Sequence, residues 1–317
     1  MVDMRKCAII GCGNVGATAA FALIGSGLFS EMVLIDINKE RARGEAEDLG
    51  HGVPFHAPLE IYAGEYRDLA DAGLIIIAAG AAQREGETRL DLVRKNTSIF
   101  RTVIGDILPY NREAILLVVT NPVDILTEVT LRLSGFPAHR VIGSGTVLDT
   151  ARLKFLLGKR LGVDARQVHA FIIGEHGDTE LPVYSSANIS GIDLAHFCGD
   201  GCSECGQTEL EELFYEVRDA AYHIIRAKGA TYYAIAEAVR RIVTAIVRDE
   251  AAILPLSVAT NGAYGYRDLC LSLPSVVGAG GVKRVLEIPL SDEERARLEL
   301  SATRMREVLN DLNPALR

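Results

Sequence analysis

Short apolar runs, each ended by a turn residue and separated by stretches of helical length, pattern the first half of the chain. Cys7–Ile10, Met32–Asp36, Leu74–Ala79 and Ile115–Thr120 are four such runs, and Val141 with Ile142 begins a fifth. Runs that are apolar at successive positions, rather than alternating, belong to strands covered on both faces, as in a parallel sheet flanked by helices. The second half changes period. Leu210, Leu213, Phe214, Val217, Ala221, Ile224 and Ile225 recur at helical spacing, Gly229 interrupts, and Ile235, Val239, Ile242 and Val243 form a second amphipathic run. Ser291 with Glu294 three residues on has the pattern of a capping box, and it opens a last helix through Leu298, Met305 and Leu309.

One segment imitates something else. Cys7 to Ser30 carries no charge and follows Arg5 and Lys6, like the charged and apolar regions of a signal peptide. Gly11, Gly13, Gly16, Gly25 and Gly27 interrupt any continuous apolar helix, and a strand, a tight turn and a buried helix place every residue instead. Composition narrows the class further. The chain has 317 residues, 49% hydrophobic and 24% charged, enough to bury a full core and build two domains. A net charge of −9 provides no overall field for nucleic acid or an anionic membrane, and neither is expected as a partner. Six cysteines are too sparse for a disulfide scaffold, so a reducing cytoplasm is the expected location.

The glycines of the first turn carry the first chemistry. Gly11, Gly13 and Gly16, with Asn14 and Val15 between the last two, follow the first strand directly and open a helix. Gly11 permits the tight turn, Gly13 lets the backbone approach a pyrophosphate, and Gly16 lets the helix pack on the sheet. The helix N-terminus then offers unpaired N–H groups and a positive dipole end to phosphates. Glycine-rich turns are common in α/β proteins, so the pattern alone is weak. Asp36 strengthens it: it ends the second strand 20 residues after Gly16, where a carboxylate binds ribose hydroxyls. That carboxylate would repel a 2′-phosphate, which favours NAD over NADP. The predicted architecture is a Rossmann doubly wound parallel sheet over 1–145, followed by an α+β catalytic domain over 146–317.

Three further segments concentrate ionisable groups. Gly174-Glu-His-Gly-Asp-Thr-Glu180 follows an apolar strand and sets His176 on an exposed turn between glycines. Asp149 and Arg152 stand three apart, on one face of any helix that starts there. Gln83 to Arg89 reads as part of a charged, mobile active-site loop over about 81–92. Each has a bland reading, since a lone histidine is more often structural and an Asp–Arg pair is usually a solvated ion pair.

Taken with Gly86-Glu-Thr-Arg-Leu-Asp-Leu92, Thr120-Asn-Pro-Val-Asp124 and Leu148-Asp-Thr-Ala-Arg152, these motifs closely resemble the lactate/malate dehydrogenase family. The resemblance spans essentially the whole chain. It implies an NAD-dependent 2-hydroxy acid oxidoreductase in which His176 is the proton donor and acceptor. An imidazole suits that work because both its forms are accessible near neutral pH. Asp149 matches the carboxylate that orients the imidazole, and Arg152 the arginine that grips the substrate carboxylate with a two-toothed fork. Arg89 matches the residue that polarises the substrate carbonyl when the loop closes, and Asn121 the side chain beside the nicotinamide and the reacting oxygen. Gln83 stands where malate-specific members carry an arginine, and Thr231 matches the opposite pocket wall. A neutral amide offers no charge partner to a second carboxylate, so pyruvate and lactate are the expected substrates. Arg84, next door, could restore oxaloacetate reduction if the loop shifted by one residue.

The resemblance also implies a homotetramer activated by fructose 1,6-bisphosphate, with Lys154 and His169 at the effector positions. The family arginine is a lysine here, which keeps the charge and loses the fork, so weaker activation is expected. His196, Cys198, Cys202 and Cys205 could together read as a zinc site, yet a variable surface loop suits them better and no metal is expected. Cys7 and Cys12 read as packing residues. The competing functions are a malate dehydrogenase of the same family and a non-catalytic NAD-binding sensor. A sensor would have no use for His176, Asp149, Arg152 and Arg89 together.

Overall fold

The computed structural model describes residues 2–81, 86, 88–199 and 206–316. The chain begins with β1 (Asp3–Ile10), α1 (Asn14–Ile24), β2 (Glu31–Ile35), α2 (Lys39–Gly52), β3 (Glu60–Ala63) and β4 (Ala72–Ile77). It continues through α3 (Arg89–Ile107), β5 (Ile115–Val118), α4 (Val123–Ser134), β6 (Val141–Gly143) and α5 (Val147–Leu161). Next come β7 (Val168–Ile173), β8 (Leu181–Ile189), β9 (Ile192–Asp193), α6 (Leu194–Cys198), α7 (Gln207–Lys228) and α8 (Tyr233–Val247). The last elements are β10 (Ala252–Ala259), β11 (Cys270–Gly278), β12 (Gly281–Val285) and α9 (Asp292–Leu316).

Six parallel strands run in the order β3-β2-β1-β4-β5-β6, the doubly wound arrangement with β1 and β4 at its centre. All six residues of β4 are buried, as its unbroken apolar run requires. The structure adds an edge strand that hydrophobic patterning misses. Glu60-Ile-Tyr-Ala63 is exposed or half-buried at every position, so its sequence carries no buried-strand signature. Another difference lies at the loop over 81–92. Thr88 accepts from the Asp91 N–H, Asp91 accepts from the Thr88 N–H, and this box starts α3 at Arg89. Gln83 and Arg84, and the side chain of Arg89, lie outside the described residues.

The sheet continues past the parallel part. β10 lies antiparallel to β6, with Ser257 opposite Gly143, and β11 and β12 extend it to nine strands among the described residues. A smaller antiparallel sheet, β7-β8-β9, adjoins it through an antiparallel bridge between Gly174 and Ser272. The predicted helices form with their predicted stops. Gly229 ends α7 at φ 86°, where a side chain would be strained, and the Ser291–Glu294 capping box opens α9. One apolar cluster joins β1, β4 and β5 to Leu298, Met305 and Leu309 of α9, and a second joins the other face of the sheet to α1 and α8. Cys7 and Cys12 are free and buried, packing residues as read from the sequence.

The first turn is built to tolerance. A Cβ at Gly16 would overlap the Gly11 carbonyl oxygen, and Gly11 itself, at φ 98°, is pressed on the backbone of Ala79. Replacing Gly16 by alanine is therefore expected to destabilise the protein by about 1–3 kcal/mol and to weaken dinucleotide binding. A urea midpoint and an NADH fluorescence titration check both.

Candidate active site

Asp149 sits in the first turn of α5, and its side chain is almost fully buried. One oxygen lies 2.6 Å from His176 Nδ1, and the other accepts from Arg152 Nη1 at 2.8 Å. A single carboxylate thus holds both the imidazole and the guanidinium, and the i,i+3 spacing read from the sequence is what lets Arg152 reach it. Among the described residues, no protein group bonds the other ring nitrogen, Nε2, of His176. The side chain is 24% exposed, so the turn is half-buried rather than exposed as the sequence pattern implied.

The electrostatics favour a charged ring. Burial works against the imidazolium, but the charge and hydrogen bond of Asp149 outweigh it, with Glu180 and Asp124 adding, and raise His176 to about 9. Burial likewise works against the Asp149 carboxylate, and the His176 ring and Arg152 overcome it to hold that carboxyl below its usual range.

The turn carrying His176 is fixed from three directions. Asp124 on α4 accepts the His176 backbone N–H at 2.7 Å and the Ser272 hydroxyl of β11 at 2.8 Å. Gly174 exchanges backbone hydrogen bonds with Ser272, and the Glu175 N–H donates to Ser301 Oγ of α9. Burial pushes Asp124 up to about 6. Asp124 closes the Thr120–Asp124 motif, and no spacing along the chain marks it as a support for His176. An acid inside the buried run Val123–Thr130 was the available signal, whereas serines in β11 and α9 give none.

The first turn and the end of β2 lie where the sequence pattern places a dinucleotide. Gly13 precedes α1 without any side-chain cap, so the helix N–H groups point outward unsatisfied, and a Cβ at Gly13 would meet nothing within 4 Å. Asn14 and Val15 form the first turn beyond it. Asp36 follows β2 and is oriented by two backbone donors, Cys12 at 2.7 Å and Asn38 at 2.8 Å. Ile37, fully exposed beside it, is an apolar surface that no motif marks. These residues fit a dinucleotide with free ribose hydroxyls. Asn121 lies just before α4 with an exposed side chain, and its carbonyl accepts from Asn96 at 2.9 Å. Thr231 lies half-buried in the α7–α8 connection.

Lys154 and His169 occupy α5 and β7, two elements that pack on each other; His169 is exposed, and burial lowers the Lys154 ammonium pKa. His196 is exposed and Cys198 is disulfide-bonded, while Cys202 and Cys205 lie outside the described residues. No helix among the described residues is long and apolar enough to cross a membrane.

Because one carboxylate sets the state of the ring, Asp149→Asn is expected to lower the His176 pKa by about two units. Titration of the histidine ring resonances by NMR reads this, and an unchanged midpoint would refute the pairing.

Residues 5–143 match the model of the lactate/malate dehydrogenase NAD binding domain, and residues 146–314 that of the lactate/malate dehydrogenase alpha/beta C-terminal domain. An L-lactate dehydrogenase of Acetivibrio thermocellus is 54% identical over 311 residues, covering 98% of each chain. One from Thermoanaerobacterium saccharolyticum is 53% identical over 98% of this chain and 100% of its own. Among solved structures, the minor L-lactate dehydrogenase of Enterococcus mundtii superposes with a TM-score of 0.94 at 39% identity, over 97% of this chain and 98% of that one. A lactate dehydrogenase from a Medee basin deep-sea metagenome library gives 0.95 at 43% identity, over 99% and 100%. With both halves matched by the family's models and relatives more than half identical over almost the whole chain, the chain belongs to the lactate/malate dehydrogenase family.

Proposed function

We propose that the protein is an NAD-dependent L-lactate dehydrogenase that interconverts pyruvate and (S)-lactate. The observation that carries the reading is the buried Asp149 carboxylate holding His176 and Arg152 at 2.6 and 2.8 Å. NADH, when bound, supplies the hydride that reduces the keto carbon. The chain supplies everything else. Arg152 keeps part of its fork free for the substrate carboxylate. His176 gives its Nε2 proton to the carbonyl oxygen as that oxygen gains negative charge, and Asp149 keeps the ring oriented throughout. In the reverse direction the neutral ring takes the proton back. Arg89 is assigned to polarising the carbonyl, Asn121 to the reacting oxygen, and Thr231 to the pocket wall, all from the family resemblance. Asp36 and the Gly11–Gly16 turn hold the dinucleotide, with Ile37 as an apolar wall beside it.

The preference for pyruvate over oxaloacetate rests on Gln83, whose neutral amide supplies no positive charge to a second carboxylate. Reduction requires the imidazolium, which is full well below pH 9 and is lost as pH rises through His176's raised value of about 9; lactate oxidation has the opposite dependence. His176→Asn is expected to lower turnover by about 10²–10⁴-fold while leaving NADH binding intact. Stopped-flow NADH oxidation with pyruvate and oxaloacetate in parallel checks both statements. Faster turnover of oxaloacetate would overturn the substrate assignment, and full turnover in the variant would overturn the role of His176.

A cytoplasmic homotetramer responsive to fructose 1,6-bisphosphate completes the proposal. Lys154 and His169 stand on elements that pack on each other, and exposed Phe21, Phe55, Phe155 and Tyr233 offer apolar surface for subunit contacts. Lys154→Arg is expected to strengthen activation, because the fork binds phosphate in two teeth. Activity titrated with the bisphosphate, with light scattering on the same samples, tests effector and assembly together. A flat titration or a monomer would remove the corresponding part.

A further inference from the structure

Behind the imidazole lies a carboxyl group that the proposed reaction leaves unused. Glu180 precedes β8 and is only 3% exposed. Its backbone N–H donates to the Gly177 carbonyl at 3.2 Å, which ties it to the turn that carries His176. Its Oε2 lies 3.8 Å from His176 Nδ1, beyond hydrogen-bond range, and its Oε1 is buried without any hydrogen-bond partner among the described residues. The polar atoms of Asp149, His176 and Glu180 all lie within 4.8 Å of one another.

Charge decides what such a group can be. α5 faces the cluster with Asp149 and Arg152, α4 with Asp124, and the turn with His176, while β10 and β11 present the uncharged Ser257 and Ser272. A buried carboxylate with an unpaired oxygen is costly, and the Asp149 charge beside it adds repulsion. Both effects favour the neutral acid. Burial first, and then Asp149, push Glu180 up to about 8. At neutral pH the ring therefore faces one full charge at Nδ1, that of Asp149, and a second, non-bonded charge arrives only on the alkaline side.

Resting on the dehydrogenase reading, we propose that Glu180 is a positioning residue of the proton-transfer pair: a buried acid that stays neutral while Asp149 carries the charge facing the ring, and whose ionisation in alkaline solution holds the proton on His176. Alkaline pH would otherwise strip the ring and stop reduction. Ionised Glu180 delays that loss, extending pyruvate reduction upward in pH and displacing lactate oxidation by the same amount.

Glu180→Gln tests this. The alkaline limb of kcat/KM for pyruvate is expected to move down by about one pH unit, with the lactate limb following it. A carboxyl held neutral in the fold costs stability increasingly as pH rises from its unfolded value of 4.5 to about 8, so the variant should gain Tm relative to the parent at pH 8 and little at pH 5. Superimposable pH profiles, or a Tm difference that ignores pH, overturn the proposal. If the variant does not fold, the parent labelled with isotopic glutamate answers instead. A protonated glutamic acid carbonyl band in its infrared spectrum at pH 7, lost as pH passes about 8, supports the assignment, and its absence overturns it. A parent protein that shows this band yet reduces no pyruvate would sink the dehydrogenase reading alone.

Discussion

The buried carboxylate of Asp149 is the interaction on which the site depends. Two cationic groups from different parts of the chain reach it, Arg152 one turn along α5 and His176 from the turn after β7. Taking a charge out of water is costly unless it is paired and hydrogen-bonded, and here each oxygen has its own cationic partner. In the proposed reaction the same pairing does the chemical work. It orients the ring, fixes the proton on it near neutral pH, and leaves Nε2 as the nitrogen available for transfer.

Holding that geometry takes most of the molecule. Asp124, Ser272 and Ser301 come from α4, β11 and α9, and each fixes the backbone of the turn rather than touching the ring's reactive atom. They are supports, and their effect on chemistry passes through the position of His176. Binding and proton transfer are divided along the chain in a similar way. In the proposed reaction the first turn and Asp36 serve the dinucleotide and α5 and the β7–β8 turn serve the substrate, while α4, which begins just after Asn121, holds the His176 turn through Asp124.

Much of this was legible in the residue pattern, for identifiable reasons. Fully buried parallel strands such as β4 announce themselves as unbroken apolar runs, and Gly11, Gly16 and Asp36 are spaced by the geometry of one βαβ unit. The Asp149–Arg152 spacing and the glycine-flanked His176 were equally readable. β3 escaped because an edge strand half in water has no distinctive period, and the start of α3 at Arg89 lay hidden in a short box between Thr88 and Asp91. Glu180 and the serines around the turn escaped for another reason. A side chain's burial and its lack of a partner are products of long-range packing, which no local spacing encodes.

The pairing of β10 with β6 has a consequence for how the chain can be cut. Two family domains meet at residues 143–146, yet the sheet runs through that junction, and α8 and α9 cover strands of the first domain. Severed there, the first half would keep its glycine turn but bare β6 as a hydrogen-bonding edge and lose apolar cover on both faces. Such an edge recruits other strands, so the isolated half would be prone to self-association rather than to behave as a small nucleotide-binding module.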